Sequence, residues 1–108
     1  SSPPHSRVVA VIRARRLDAV MECLHAQGLG DVLVEQVRGY GRQKDHLGSY
    51  TLAGPEEVFL PKVRLEFVVP DAGLGKVLET VADAARTGRI GDGKLFAHAV
   101  DLDAGARP

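Results

Sequence analysis

The chain has 108 residues, of which 14 are Lys or Arg and 14 are Asp or Glu, so its formal charge is zero at pH 7 with neutral histidines. This length suits one domain with a modest core, and the balanced charge gives no reason to expect a nucleic acid as partner. No apolar run approaches the roughly 20 residues that a membrane span needs, and no stretch resembles a signal peptide. With Cys23 as the single cysteine, an internal disulfide is excluded, and we expect a cytoplasmic protein.

The first part of the chain predicts a strand, a helix and a second strand. Residues 1–6 are expected to form a flexible tail, and one domain is expected to cover residues 7–108. The β-branched run Arg7–Arg13 predicts the first strand, and Val32–Arg38 predicts the second. Between them, apolar residues at helical spacing and a glycine stop signal predict a helix, from Leu17, Val20, Met21 and Leu24 to Gly28 and Gly30.

A long segment without periodicity separates the second strand from the third. Gly39–Lys62 opens with glycines and basic residues and ends in an apolar run, with no steady period of 2 or 3.6 between them. A compact domain rarely carries such a loop without a function for it. We therefore predict a functional loop at about residues 41–58. The third strand, Phe59–Val69, has apolar residues alternating on one face, namely Val63, Leu65, Phe67 and Val69.

The last part of the chain predicts a second helix and a fourth strand. Asp71 is a candidate N-cap, Gly88 is a candidate C′ residue, and Leu95–Leu102 is the predicted strand. The helix has an apolar stripe made of Leu74, Val77, Leu78, Val81 and Ala85. The order β-α-β-β-α-β predicts an α+β, ferredoxin-like sandwich, in which two helices cover one face of an antiparallel sheet. The other face is left for packing against sister subunits.

Two glycine-containing segments are candidates for an anion site. In Thr87–Lys94 (TGRIGDGK), Gly88, Gly93 and Lys94 have the spacing of a phosphate-binding P-loop. However, Leu95 stands where Ser or Thr would hold magnesium, and the order is helix–loop–strand. Backbone N–H groups and a lysine can still meet an anion there, and the alternative is a helix cap followed by a simple turn.

The second candidate segment is Gly39–Lys44 (GYGRQK), where glycines allow close approach and two cations can meet phosphate. The four histidines lack metal-ligand spacing, and Ser49 and Cys23 have no partner signal for nucleophilic catalysis. The sequence therefore indicates binding and shows no catalytic constellation.

The segments VRGYGRQK, FLPKVRLEFVV and AARTGRIGDGKLF resemble, in order and spacing, the signature segments of the PII signalling proteins. The resemblance covers Arg7 to about Val100, and the intervening loop has the length of that family's T-loop. It implies a homotrimer of ferredoxin-like subunits that binds ATP, ADP or AMP in the clefts between subunits, and a T-loop whose shape decides which target protein is bound.

The resemblance also implies the binding residues. The family's phosphate-binding B-loop corresponds to Gly91, Asp92, Gly93 and Lys94, and the base of its T-loop corresponds to Gly39, Gly41, Arg42 and Gln43. The remaining ligand positions correspond to Lys62, Glu66, Val68, Thr87 and Arg107. In the family, the glutamine matching Gln43 helps to hold a magnesium ion that bridges ATP to 2-oxoglutarate, and the lysine matching Lys62 meets a carboxylate of that ligand.

The chain also departs from the family pattern. The family's uridylylated tyrosine falls at Pro55, and the arginine that plugs ammonium channels falls at Thr51. The glycine that lies against 2-oxoglutarate is Asp45, and the threonine that helps to read adenine is Leu33. Of the two arginines after the last strand, one falls at Gly105 and only Arg107 is kept.

We therefore predict a divergent PII-like signal-transduction protein without enzymatic activity, which regulates a transporter or an enzyme through its T-loop. Bicarbonate is favoured over 2-oxoglutarate as the effector, because a carboxylate at Asp45 repels a dianion more strongly. The first alternative is a standard nitrogen-regulatory PII protein that senses ATP or ADP and 2-oxoglutarate. The others are a weak nucleotide hydrolase on the same scaffold, a metal-handling trimer and an interaction module without a ligand.

Overall fold

The computed structural model describes residues 3–42, 57–88 and 92–101, with the backbone alone for residues 39–42 and 57–60. A short 3-10 turn, Ala14–Arg16, follows the first strand. The elements in chain order are β1 (His5–Arg13), α1 (Leu17–Ala26), β2 (Leu33–Arg42), β3 (Glu57–Pro70), α2 (Asp71–Ala85) and β4 (Gly93–Val100). This order confirms the predicted α+β, ferredoxin-like fold.

The strands form one sheet in the order β2-β3-β1-β4, and every neighbouring pair is antiparallel. Ala10 of β1 lies opposite Leu65 of β3 and Leu95 of β4, so these three side chains share the face that the helices cover. The helices pack on each other and on this face. The buried core is made of Val8, Ala10, Ile12, Val20, Leu24, Val63, Leu65, Phe67, Val69, Val77, Val81 and Ala85.

The core confirms the apolar patterns of the sequence. All four alternating residues of the third strand are buried, and the predicted stripe of each helix is buried in part and otherwise packs, partly exposed, against the core. Burial follows the sequence closely here because a period of 2 or 3.6 brings apolar side chains to one face without reference to distant residues. Neither helix in the described part of the chain is long and apolar enough to cross a membrane.

β2 and β3 continue beyond the end of β1 as a two-stranded ribbon. Pairing between β1 and β3 stops at Arg13 and Lys62, whereas pairing between β2 and β3 runs on to Arg42 and Glu57. Among the described residues, Pro61 therefore lies where β3 has a strand on one side only, the situation in which a missing N–H is tolerated. The predicted loop of residues 41–58 is shorter at both ends, because the backbone of residues 41–42 pairs with that of residues 57–58. Residues 43–56 lie outside the described residues.

Helix α1 ends in a Schellman motif. Gly28 has a φ of 81°, its N–H donates to the carbonyl of His25 at 3.0 Å, and the N–H of Leu29 donates to the carbonyl of Leu24 at 3.0 Å. The left-handed φ requires glycine, because a Cβ there crowds the backbone. The predicted stop signal at Gly28 is thus confirmed.

The predicted start of the domain is corrected. The prediction of a flexible tail over residues 1–6 fails at His5 and Ser6, which pair with Pro70 and Val69 as part of β1. Ser6 is buried, and its hydroxyl donates to Oδ1 of Asp71 at 2.6 Å. This contact lies 65 residues away along the chain, so local composition does not reveal it.

The predicted ends of the second helix and the fourth strand are also corrected. Pro70, not Asp71, is the N-cap, and its side chain offers no capping hydrogen bond. The helix ends at Ala85 with an extended Arg86, so Gly88, with a φ of 87°, lies beyond the C′ position. The fourth strand begins at Gly93 and ends at Val100, two residues earlier than predicted at each end.

Replacing Gly28 should separate the effect of backbone conformation from that of packing. Apart from the glycine itself and its two chain neighbours, no described atom lies within 4 Å of a Cβ built at Gly28 or Gly30, but of these two glycines only Gly28 has a positive φ. We expect Gly28→Ala to lower the free energy of unfolding by about 1–2 kcal/mol, measured by urea denaturation at fixed protein concentration. The matched control Gly30→Ala should be neutral or stabilising, since alanine restricts the unfolded chain. Equal losses of unfolding free energy in the two variants would contradict the left-handed conformation assigned to Gly28.

Candidate functional site

Three cations from neighbouring strands meet at one end of the sheet. Arg13, the last residue of β1, lies opposite Lys62 of β3, and Val11 lies opposite Lys94 of β4. Because Arg13 follows the buried Ile12, these side chains are on the face that the helices do not cover. We call Arg13, Lys62 and Lys94 the cationic cluster.

The charges of the cationic cluster interact. Partial burial lowers the pKa of Lys62, and the nearby charges of Arg13 and Lys94 lower it further, while Asp92 opposes the shift. The ammonium form of Lys62 is therefore less favourable than in water. An anion that binds beside it would raise its pKa again, which is the electrostatic behaviour of an anion site.

Asp92 is hydrogen-bonded at both carboxylate oxygens. Oδ1 accepts from Nε of Arg13 at 3.1 Å and from the hydroxyl of Thr87. Oδ2 accepts from the backbone N–H of Thr87 at 2.7 Å and from that of Gly88 at 3.0 Å. One side chain thus joins the residues after α2, the start of β4 and the end of β1.

These contacts keep Asp92 ionised to a lower pH than an ordinary aspartate. Partial burial alone would raise the pKa of its carboxyl, but the hydrogen bonds from the Thr87 hydroxyl and N–H, from Arg13 and from Gly88 together hold it well below the ordinary value of 3.8. Asp92 is consequently ionised at neutral pH. It offsets part of the positive charge of the cationic cluster.

Gly93 brings the turn against the backbone of β1. It has a φ of 153°, and a Cβ built on it would lie 2.3 Å from the carbonyl oxygen of Val11 and 3.3 Å from Cα of Ile12. Neither contact can be relieved by a side-chain rotation, because both atoms belong to the main chain. β4 therefore starts, at Gly93 and Lys94, in close contact with the end of β1.

A cleft of roughly 670 Å³ opens beside the cationic cluster, between the 3-10 turn and the root of the ribbon. Lys62 belongs to both the cleft and the cluster. The lining residues are Ala14, Gln36, Val37, Arg38, Pro61, Lys62 and Val63. A mixed polar and apolar wall with cations at one end suits a ligand with an uncharged body and an anionic group.

Farther along the uncovered face, charged side chains alternate across three strands. Glu66 accepts from Nη2 of Arg64 at 2.7 Å and from Nη1 of Arg7 at 3.3 Å, and Arg64 also donates to Oε1 of Glu35 at 2.7 Å. The hydrogen bond from Arg64, followed by the charges of Arg7 and Arg64, lowers the pKa of Glu66. We call these four residues the charge ladder.

Large apolar side chains are exposed on the same face as the charge ladder. Val68 is 39% exposed and Phe96 is 49% exposed. Leu33 lies opposite Glu66 and is 65% exposed. The predicted binding positions Glu66 and Val68 are thus both available at this surface.

The structure brings together only part of the predicted binding set. Lys62, Thr87, Asp92, Gly93 and Lys94 converge at the cationic cluster, whereas Glu66 and Val68 lie farther along β3. The backbones of Gly39, Gly41 and Arg42 pair with Leu60, Val58 and Glu57 in the ribbon. Gln43, Asp45, Thr51, Pro55, Gly91, Gly105 and Arg107 lie outside the described residues, so the predicted magnesium position at Gln43 stays a prediction.

Arg13 was not among the residues predicted from the sequence to form the site. Its guanidinium is mostly buried and reaches Asp92 over 79 residues of the chain. One signal could have identified Arg13. It is a basic residue at the end of an apolar strand, and the alternation of that strand places it on the face away from the helices. That signal becomes specific only once β1 is known to lie between β3 and β4.

The low pKa of Asp92 predicts how its contribution to stability depends on pH. A carboxyl whose pKa falls on folding stabilises the protein fully above the pKa of the unfolded chain, and this stabilisation is lost as the pH falls through the folded-state value. The difference in free energy of unfolding between wild type and Asp92→Asn should therefore be constant from about pH 5 to 8 and shrink below about pH 4. Asp83→Asn, which removes an exposed i,i+3 pair with Arg86, should cost little at any pH. If the difference in free energy of unfolding between wild type and Asp92→Asn stayed constant down to the lowest measurable pH, the ionised carboxylate of Asp92 would not be what stabilises the protein.

The contact of Gly93 with β1 predicts a steric effect. Gly93→Ala should lower the free energy of unfolding by about 1–3 kcal/mol, because the backbone must move to admit the methyl group. Gly75→Ala lies in helix α2, where a built Cβ has no described atom within 4 Å outside its chain neighbours and the adjacent helix backbone, so it should instead stabilise by roughly 0.5–1 kcal/mol. Thermal or urea unfolding compares the pair, and a stable Gly93→Ala variant would show that the turn is not held against β1.

Comparison with known proteins agrees with this architecture. The family model described as "Nitrogen regulatory protein P-II" matches residues 5–105. A protein of that name from Rhodospirillum rubrum is 43% identical over 95 residues, which cover 88% of this chain and 85% of the relative. Proteins of the same name from Azospirillum brasilense and Haemophilus influenzae are 41% and 42% identical over the same shares of both chains. The chain therefore belongs to the P-II family of regulatory proteins.

Proposed function

We propose that this chain is a PII signal-transduction protein of the nitrogen-regulatory type, which binds ATP or ADP by its phosphates at the cationic cluster. The observation that carries the proposal is the meeting of Arg13, Lys62 and Lys94 beside a glycine-containing turn. Phosphate oxygens would relieve the repulsion among the three cations and accept charge-assisted hydrogen bonds from them. The adjoining cleft offers room for the uncharged part of a nucleotide.

The second ligand is proposed to be 2-oxoglutarate. The relatives that cover most of this chain are named as nitrogen regulatory proteins, which supports this effector over the bicarbonate that the sequence analysis favoured. Bicarbonate was favoured because of the charge of Asp45, which lies outside the described residues. Bicarbonate remains the alternative outcome of the binding experiment below, and magnesium held by Gln43 is part of the proposal for bound ATP.

The uncovered sheet face supports a homotrimer with ligand clefts between its subunits. Val68, Phe96 and Leu33 expose apolar surface there, and burial against other copies would remove it from water. The charge ladder is already paired within one subunit, so little uncompensated charge would be buried.

The output of the protein is proposed to be a change in its affinity for a target protein, either an enzyme or a transporter. The ribbon extends beyond the end of β1 as far as Arg42 and Glu57, the positions that flank residues 43–56, and its root adjoins the cationic cluster at Lys62. A ligand that favours one arrangement of this segment would change the affinity for a target, and the target would change nucleotide affinity by the same factor. We propose regulation without catalysis, in keeping with the family's regulatory name.

Calorimetry tests the ligands. ATP and ADP should each bind the purified protein, and 2-oxoglutarate with magnesium should strengthen ATP binding. Strengthening by bicarbonate instead would favour the carbon-responsive alternative. Absence of nucleotide binding under all conditions would refute the proposal.

Lys94→Ala should weaken ATP binding by about tenfold or more, because a hydrogen bond to a charged group typically contributes about 1.5–3 kcal/mol. Lys76→Ala is the matched control, because it removes the same charge from the exposed side of α2 and should bind ATP like wild type. Titration calorimetry gives both dissociation constants. Equal affinity in the two variants would remove Lys94 from the site.

A further inference from the structure

Asp92 presents a conflict at the proposed phosphate site. Its ionised carboxylate lies among three cations and should weaken their attraction for an anion. Both of its oxygens already accept two hydrogen bonds each, from Arg13, Thr87 and Gly88. The carboxylate is therefore occupied by the protein's own donors. Direct contact with a ligand does not explain why an aspartate is present at this position.

We propose that Asp92 is a positioning residue, whose carboxylate ties the backbone of Thr87 and Gly88 to Arg13 and thereby fixes the turn that leads into Lys94. This inference rests on the proposed nucleotide function and assigns Asp92 a role distinct from phosphate contact. The gain is geometric order at the site, and it outweighs the loss of positive charge.

The contacts fix the turn at two points. Asp92 holds two successive N–H groups just after α2 and links them to the end of β1. One residue later, Gly93 lies against the carbonyl of Val11. Lys94 follows directly, so its main chain is set relative to both β1 and the end of α2. Donors held in place before binding lose less conformational entropy when a ligand arrives.

Charge and position predict opposite effects of the same substitution. Asp92→Asn removes a negative charge from the cationic cluster, so electrostatics alone predicts tighter ATP binding. An amide has one acceptor oxygen in place of two, so the ties to Thr87, Gly88 and Arg13 cannot all persist. If Asp92 positions the turn, the variant should bind ATP more weakly, by about tenfold.

The test is calorimetric titration of wild type and Asp92→Asn with ATP and magnesium at two ionic strengths. We expect weaker binding by the variant together with a steeper loss of affinity as salt increases, because its cluster carries more net positive charge. A general loss of structure would weaken binding without steepening the salt dependence. Asp83→Asn, with the same charge change on the outer side of α2, should bind like wild type in both salts.

A neutral substitution provides a second test in case Asp92→Asn fails to fold. Thr87→Val removes the hydroxyl that donates to Asp92 and changes no charge, so we expect ATP binding to weaken several-fold. The matched control Thr80→Val removes a hydroxyl that donates to the carbonyl of Lys76 within α2, and it should bind ATP like wild type.

The outcomes distinguish this inference from the proposed function. If wild type binds ATP while Asp92→Asn binds as tightly or more tightly, Asp92 is a charge modulator and the inference is overturned. Unchanged affinity in Thr87→Val would also overturn it. If wild type binds no nucleotide, the proposed function fails and the positioning role fails with it.

Discussion

Asp92 reconciles two requirements that the end of the sheet places on the chain. Arg13, Lys62 and Lys94 repel one another, and a fold that brings them together needs a counter-charge before any ligand arrives. The carboxylate supplies it, and the same side chain closes the connection between α2 and β4. The same contacts therefore serve the stability of the free protein and the order of the candidate site. Asp92 accepts two main-chain N–H groups after α2 and the side chain of Arg13 at the end of β1, so this part of the candidate site is held by contacts within the protein.

The two faces of the sheet serve different purposes. The helix-covered face contains the core and follows the apolar periodicity of the strands. The opposite face carries the cationic cluster at one end and the charge ladder farther along, with exposed apolar side chains on the same surface. Since Arg64 and Glu66 satisfy each other within the subunit, this face can approach another copy without leaving a lone charge in the contact. Substitutions on the uncovered face should therefore disturb the core little.

The sequence was sufficient wherever a local pattern determined the structure. The alternation at Val63–Val69 and the glycine stop at Gly28 were predicted correctly, because each depends on neighbours a few residues away. Predictions failed where a distant partner decides the outcome. Ser6 belongs to β1 because Asp71 and the adjacent strands hold it, and Asp71 faces Ser6 in place of capping its own helix.

The same difference between local patterns and distant partners explains which residues of the candidate site could be predicted. Its glycine turn and lysines were recognised from the sequence and from the resemblance. Arg13 was missed because its neighbours are brought in by the pairing of β1 with β3 and β4.

The ribbon formed by β2 and β3 also affects which sequence changes the protein tolerates. Its two strands pair from Leu33 and Glu66 to Arg42 and Glu57, and this last described pair flanks residues 43–56. Adding or removing residues between Arg42 and Glu57 changes the entropy of loop closure only slightly. Such a change leaves the register between β2 and β3 as it is. A single-residue deletion between Glu57 and Lys62 would instead shift the pairing and turn alternate side chains to the opposite face. Changes of length between Arg42 and Glu57 should therefore be tolerated better than changes of length within the paired strands.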